Sequence, residues 1–189
     1  MSLVPAFEIG VWNAWIFMSV FIVQMIVVIF LGKKVFERSS HPSDVEKSNL
    51  EEKSSIAGNG IWLLATIYSI FLPLKLGTIW FYVGLIIFLV GLSILTLATI
   101  NFATSTIEKP ITTGMYRFSR HPLYFSLVMV YIGTSIATAS WLFLFLGIAN
   151  VFWISIESNA EERYCLEKFG NDYREYMSRT PKWLGLPKS

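Results

Sequence analysis

The chain has 189 residues, of which 54% are hydrophobic, 16% aromatic and 15% charged, against roughly 25% charged in soluble domains. So much apolar surface excludes an ordinary soluble domain, and a single cysteine, Cys165, excludes a disulfide-stapled secreted one. The net charge of +2 gives no reason to expect a nucleic-acid partner, so the information lies in where the charges sit.

The first uncharged run, Ile9 to Gly32, contains Asn13 and Gln24 but no ionisable residue. At about 1.5 Å per residue it exceeds a hydrocarbon core of roughly 30 Å, so it predicts a spanning helix over 9–32. Lys33 to Ser55 follows, with five basic and five acidic residues, and reads as a solvated connector that takes His41 with it. Two further apolar runs, 56–74 and 77–103, are separated by Pro73 and Lys75 and predict a tight helical hairpin. Gly84 and Gly91, seven apart, share a face of the second helix, where small residues let helices approach closely in lipid.

After a polar segment, 104–122, the apolar stretch from Leu123 to Ile156 is too long for one helix. Thr138, Ala139 and Ser140 favour a turn, which gives a second hairpin with arms 123–138 and 140–157. In the tail, 157–189, Gly170 suits a helix end, and a short interfacial helix after it places Tyr173, Tyr176 and Met177 on one apolar side. The expected fold is an all-α integral membrane protein: a single membrane domain over 1–189 with about five transmembrane helices. A C-terminal helical hairpin closes that set, followed by interfacial helices.

Of the 15 lysines and arginines, only Lys75 falls on the far face of this topology. The positive-inside rule makes the loaded face cytoplasmic, with the N-terminus outside and the C-terminus in the cytoplasm. Segments 104–122 and 157–189 then share that face, and a turn centred near Ala139 puts His121 opposite Glu157 and the Tyr116–Arg117 stretch beside Glu161 and Glu162. Ionisable groups gathered at a lipid boundary are candidates for function. The plainer alternative is a set of interface anchors, Arg120 and His121, neutralised by Glu161 and Glu162. Two histidines, His41 and His121, far apart in sequence, give no metal-ligand spacing, and no glycine-rich phosphate loop is present.

The run GMYRFSRHPLY, followed about forty residues later by EERYCLEKFGNDYREYMSRTP, resembles the signature of the isoprenylcysteine carboxyl methyltransferases, integral-membrane enzymes similar in this region to the phospholipid methyltransferases. The matching residues are Gly114, Tyr116, Arg117, Arg120, His121, Pro122, Tyr124, Glu161, Glu162, Phe169, Gly170, Tyr173, Tyr176 and Arg179. The resemblance covers roughly residues 80–187; Ser126 stands where the pattern has glycine, and Lys182 and Trp183 stand around its second basic position.

The resemblance implies S-adenosylmethionine as cofactor and methyl transfer to the carboxylate of a prenylated cysteine entering from the bilayer, with a phospholipid amine or a small thiol as alternative acceptors. It implies cofactor contacts from Tyr116, Arg117, Arg120, His121, Tyr124, Glu161 and Glu162. Substrate contacts would come from Arg179, Tyr173 and Tyr176, with Arg179 and Glu162 closest to the chemistry. Two other classes remain open. A nicotinamide-dependent membrane reductase of steroid-reductase type would have asparagine where His121 stands, and a non-enzymatic membrane scaffold would leave the cluster without a role.

Overall fold

The computed structural model describes residues 7–20, 23, 24, 26, 48–106 and 108–187. The later part of the first expected span and most of the 33–55 connector, His41 included, lie outside the described residues. Regular structure is helical, apart from an isolated bridge between Asn13 and Pro73. The helices are α1 (Trp15–Met18), α2 (Asn49–Ile70), α3 (Ile79–Thr104), α4 (Pro122–Ala137), α5 (Trp141–Phe169) and α6 (Asn171–Arg179), with a 3-10 turn at Gly114–Arg117.

Among the described residues, α3 and α5 are long and apolar enough to cross a membrane, and α4 is apolar but shorter. At the helical rise α3 and α5 reach about 39 and 43 Å, and α4 about 24 Å against a core of roughly 30 Å. Large apolar side chains on α3 (Ile79, Val83, Ile86, Val90, Leu97) and α5 (Phe145, Ile148, Phe152) remain exposed. A surface of this kind is stable against lipid rather than water.

Several expected boundaries move, each for a local reason. Residues 9–14 are not helical; they form an arm against the end of α2, where Asn13 Nδ2 donates to the carbonyls of Glu8 (2.6 Å) and Ile70 (2.7 Å). The backbone then exchanges bonds with Leu72 and Leu74. The connector gives way to helix well before the apolar run begins. Ser48 and Glu51 form a capping box, with Ser48 N–H donating to the Glu51 carboxylate at 2.8 Å and Glu51 N–H to Ser48 Oγ at 3.3 Å. Helix α5 continues past the expected end at 157 to Phe169, where Gly170, at φ +55°, turns the chain into α6.

The closest packing is between the antiparallel α3 and α4. A Cβ on Gly133 would lie 2.6 Å from the Phe88 amide nitrogen, and one on Gly91 would lie 2.8 Å from Met129 Cβ. Glycines here bring two backbones nearly into contact, the small-residue packing expected in lipid. Hydroxyls of Thr134, Ser135 and Thr138 donate to backbone carbonyls a turn back in α4, so no polar side chain there faces hydrocarbon unsatisfied.

One end of the bundle gathers the 8–14 arm, the 71–78 connection and the 138–140 turn, with Lys75 N–H bonded to the Ala137 carbonyl at 3.0 Å. The other end gathers the start of α2, the 105–121 loop, the last turns of α5, α6 and the 180–187 tail.

Candidate functional site

At that second end the 105–121 loop is pinned first to α3. Asn101 Oδ1 accepts from Met115 N–H at 2.9 Å. Gly114, at φ +62°, lies so close to the Asn101 amide that any side chain there would collide with it. The 3-10 turn that follows buries Tyr116, whose carbonyl accepts from the Tyr176 hydroxyl of α6 at 2.6 Å. Ser119 Oγ accepts from His121 N–H at 3.1 Å and donates to the Lys182 carbonyl at 3.3 Å. His121 is thereby fixed immediately before Pro122, the first residue of α4.

From this position the His121 ring, with its side chain 5% exposed, meets two adjacent carboxylates of α5. Nε2 lies 3.1 Å from Glu162 Oε1, and Nδ1 lies 3.4 Å from Glu161 Oε2. Glu162 Oε1 also pairs with Arg120 Nη2 at 3.0 Å, and Glu161 Oε1 accepts from the Tyr124 hydroxyl, one turn into α4. Arg120 is held from α6 and the tail as well: Nη1 donates to the Met177 carbonyl at 3.2 Å, and its own N–H to Pro181 O at 3.0 Å. Its Nε is buried with no hydrogen-bond partner. Trp183 lies over the cluster, 6.1 Å from the His121 ring centre.

Burial by itself disfavours charge on His121, but the hydrogen bonds and charge of Glu161 and Glu162 outweigh it, and its pKa moves up from the ordinary 6.5. Burial likewise pushes Glu162 up, and His121 and Arg120 together more than reverse this, leaving it below the ordinary 4.5. Both shifts favour the ionised form of the His121–Glu162 pair. Burial raises the Tyr173 and Tyr176 phenols and drives the Cys165 thiol to about 11, so none of these is an anion at neutral pH.

Arg120, His121, Tyr124, Glu161 and Glu162 are thus brought together, with Tyr116 buried beneath them. The register differs from the expected one: His121 meets Glu161 and Glu162, a full turn beyond Glu157. Side chains tilt toward the N-terminus of their own helix, so a glutamate further along α5 leans back to meet a residue at the start of α4. Arg117 and Arg179 are not brought to the cluster. Because the 3-10 turn buries Tyr116, the next residue projects outward, and both arginines line a separate cleft of about 490 Å³ that Tyr176 also borders. Arg179 is there ion-paired to Glu175 on its own helix. Tyr173 and Tyr176 are buried and anchor α6.

Sequence reasoning misses Asn101, Ser119 and the overlying Trp183. It also misses the pair between Glu51 and Arg163 (2.8 and 3.0 Å), which ties α2 to α5 one residue past Glu162 and holds Glu51 down to about 2. The polar Asn101 at the end of an apolar run and the Ser-x-x-Glu box were the available signals.

The family described as phospholipid methyltransferase matches residues 72–172, a little over half of the chain and the whole of the cluster. Methanethiol S-methyltransferase 1 of Bradyrhizobium diazoefficiens is 32% identical over 68 residues, which is 36% of this chain and 23% of that relative. The similarity thus spans about a quarter of the relative's length.

Proposed function

The chain belongs to the phospholipid methyltransferase family, and on that premise we propose that it is an S-adenosylmethionine-dependent membrane methyltransferase. Its methyl acceptor on this reading is the carboxylate of a prenylated cysteine reaching the site from the bilayer. The membrane is crossed several times, with the cluster on the cytoplasmic side, as the one-sided charge distribution favours.

The residues present fit such a cofactor. Arg120 Nε is a buried donor without a partner, in a guanidinium whose Nη1 and Nη2 are already oriented by Met177 and Glu162, and would hold the cofactor carboxylate. Glu161, with its side chain 37% exposed, has the charge and access to receive the ammonium. Tyr124 fixes Glu161, while His121 and Glu162 hold Arg120 in register. The cofactor supplies a methyl group on a sulfonium, transferred in line to the acceptor while a neutral thioether leaves.

The observation that carries the choice of acceptor is the double engagement of His121. Both ring nitrogens face carboxylates, an arrangement that favours the protonated imidazole, and in that form the ring has no lone pair with which to take a proton. Such a site suits an acceptor that is already anionic, and positioning rather than base catalysis does the work. The partial match to a methanethiol S-methyltransferase favours a second reading, a small thiol. Purified chain, radiolabelled S-adenosylmethionine and either a farnesylated cysteine analogue or a small thiol separate the two. The first reading predicts labelled methyl ester, with a rate that does not rise along a basic titration limb. Label in the thiol with none in the ester overturns it, and label in neither overturns the enzyme assignment.

A further inference from the structure

The cleft that holds Arg117 and Arg179 belongs to neither the cluster nor the bundle core. Three cations face it, Lys109, Arg117 and Arg179, against two carboxylates, Asp172 and Glu175. Arg179 is paired with Glu175. Lys109 and Arg117 are exposed, and among the described residues no carboxylate lies within ion-pair distance of either. The lining carries a net charge of +1, three cations less two carboxylates, with Lys109 and Arg117 outside any ion pair and able to meet an anion with several acceptor oxygens.

Its setting specifies the anion further. The cleft lies at the charged end of the bundle, beside the ends of helices whose flanks are apolar. Pro187 forms part of its wall, preceded by Leu186 at 83% and Leu184 at 54% exposure. Exposed leucines beside a basic cleft fit a ligand with a phosphate head and an acyl body. A volume of about 490 Å³ lies within the range of small-ligand sites.

We propose that this cleft binds the phosphate of an anionic phospholipid, with Lys109 and Arg117 as its direct contacts and Leu184 and Leu186 against the acyl chains. The site does not rest on the methyltransferase reading, since it uses none of Arg120, His121, Tyr124, Glu161 and Glu162, the cluster proposed to hold the cofactor.

The test is native mass spectrometry of the full chain released from nanodiscs of mixed phosphatidylcholine and phosphatidylglycerol, counting retained lipids. Wild-type protein is expected to retain one phosphatidylglycerol in preference to phosphatidylcholine. The double variant Lys109→Gln/Arg117→Gln should weaken that preference about 30-fold. Arg174→Gln, which removes an exposed cation outside the cleft, should keep it, and so serves as the folding and general-charge control. Equal retention by wild type and double variant, or equal loss in both variants, overturns the site. Binding of soluble glycerol 3-phosphate as tight as that of the lipid overturns the lipid assignment in favour of a free phosphate ester.

Discussion

His121 sits between opposing physical demands. Burial of its ring favours neutrality, while two flanking carboxylates favour the cation and prevail. A folded-state pKa above the ordinary 6.5 means that its stabilisation is fully present below about pH 6.5 and is lost as pH rises through the raised value. Glu162, shifted down from 4.5, contributes the opposite limb: its stabilisation is present above about pH 4.5 and is lost as pH falls through the lowered value. Thermal stability in detergent should therefore plateau between about pH 4.5 and 6.5 and fall on the alkaline side. His121→Gln should cost about 1.5–3 kcal/mol at pH 6 and flatten the alkaline fall. An unchanged alkaline slope in the variant contradicts the assigned charge. Which residues meet at this scale was partly legible. The signature residues and a hairpin suffice to join His121 to the α5 glutamates, but Arg117 and Arg179 are one residue or one helix face away from the cluster. Side-chain direction out of a 3-10 turn is not written in spacing.

Element by element, the chain follows apolar runs where hydrophobicity alone decides and departs from them where local polar bonds decide. Helices α3 and α4 begin within two residues of their apolar runs. By contrast α2 starts seven residues early because Ser48 and Glu51 cap it, and α5 runs twelve residues past its expected end at 157 until Gly170 ends it. The α3–α4 crossing rests on glycines with no room for a methyl group. Gly133→Ala should destabilise the bundle by about 1–3 kcal/mol through overpacking. Gly60→Ala on α2, where a Cβ meets nothing within 4 Å, should be neutral or slightly stabilising. Chemical unfolding of both variants in the same detergent checks the contrast, and equal effects would mean that the crossing is not the tight contact described. Because Gly84, Gly91 and Gly133 lie along this crossing, it also sets the height at which α4 starts, and with it the position of His121 against α5.

At the scale of the molecule, a nearly neutral chain is strongly polarised. Among the described residues every lysine and arginine except Lys75 lies at the end that carries the cluster, the basic cleft and the tail. Apolar composition made the lipid environment legible, and basic-residue placement made the polarity legible. The closure of the polar end was not, because it depends on long-range backbone bonds, Arg120 to Pro181 and Gly185 to Phe118, that no local pattern announces. These bonds bring the tail over His121 beside the buried Arg120 Nε, and so gather a polar cluster at one end of an apolar bundle. The central claim is that this cluster holds S-adenosylmethionine. Calorimetric titration of S-adenosylmethionine into the purified chain tests it most directly, comparing wild type with Glu162→Gln and with Arg179→Ala. Loss of the charge that orients Arg120 should weaken binding about 10- to 100-fold, while Arg179→Ala, in the separate cleft, should leave it unchanged. Unaltered affinity in a folded Glu162→Gln variant would contradict the account.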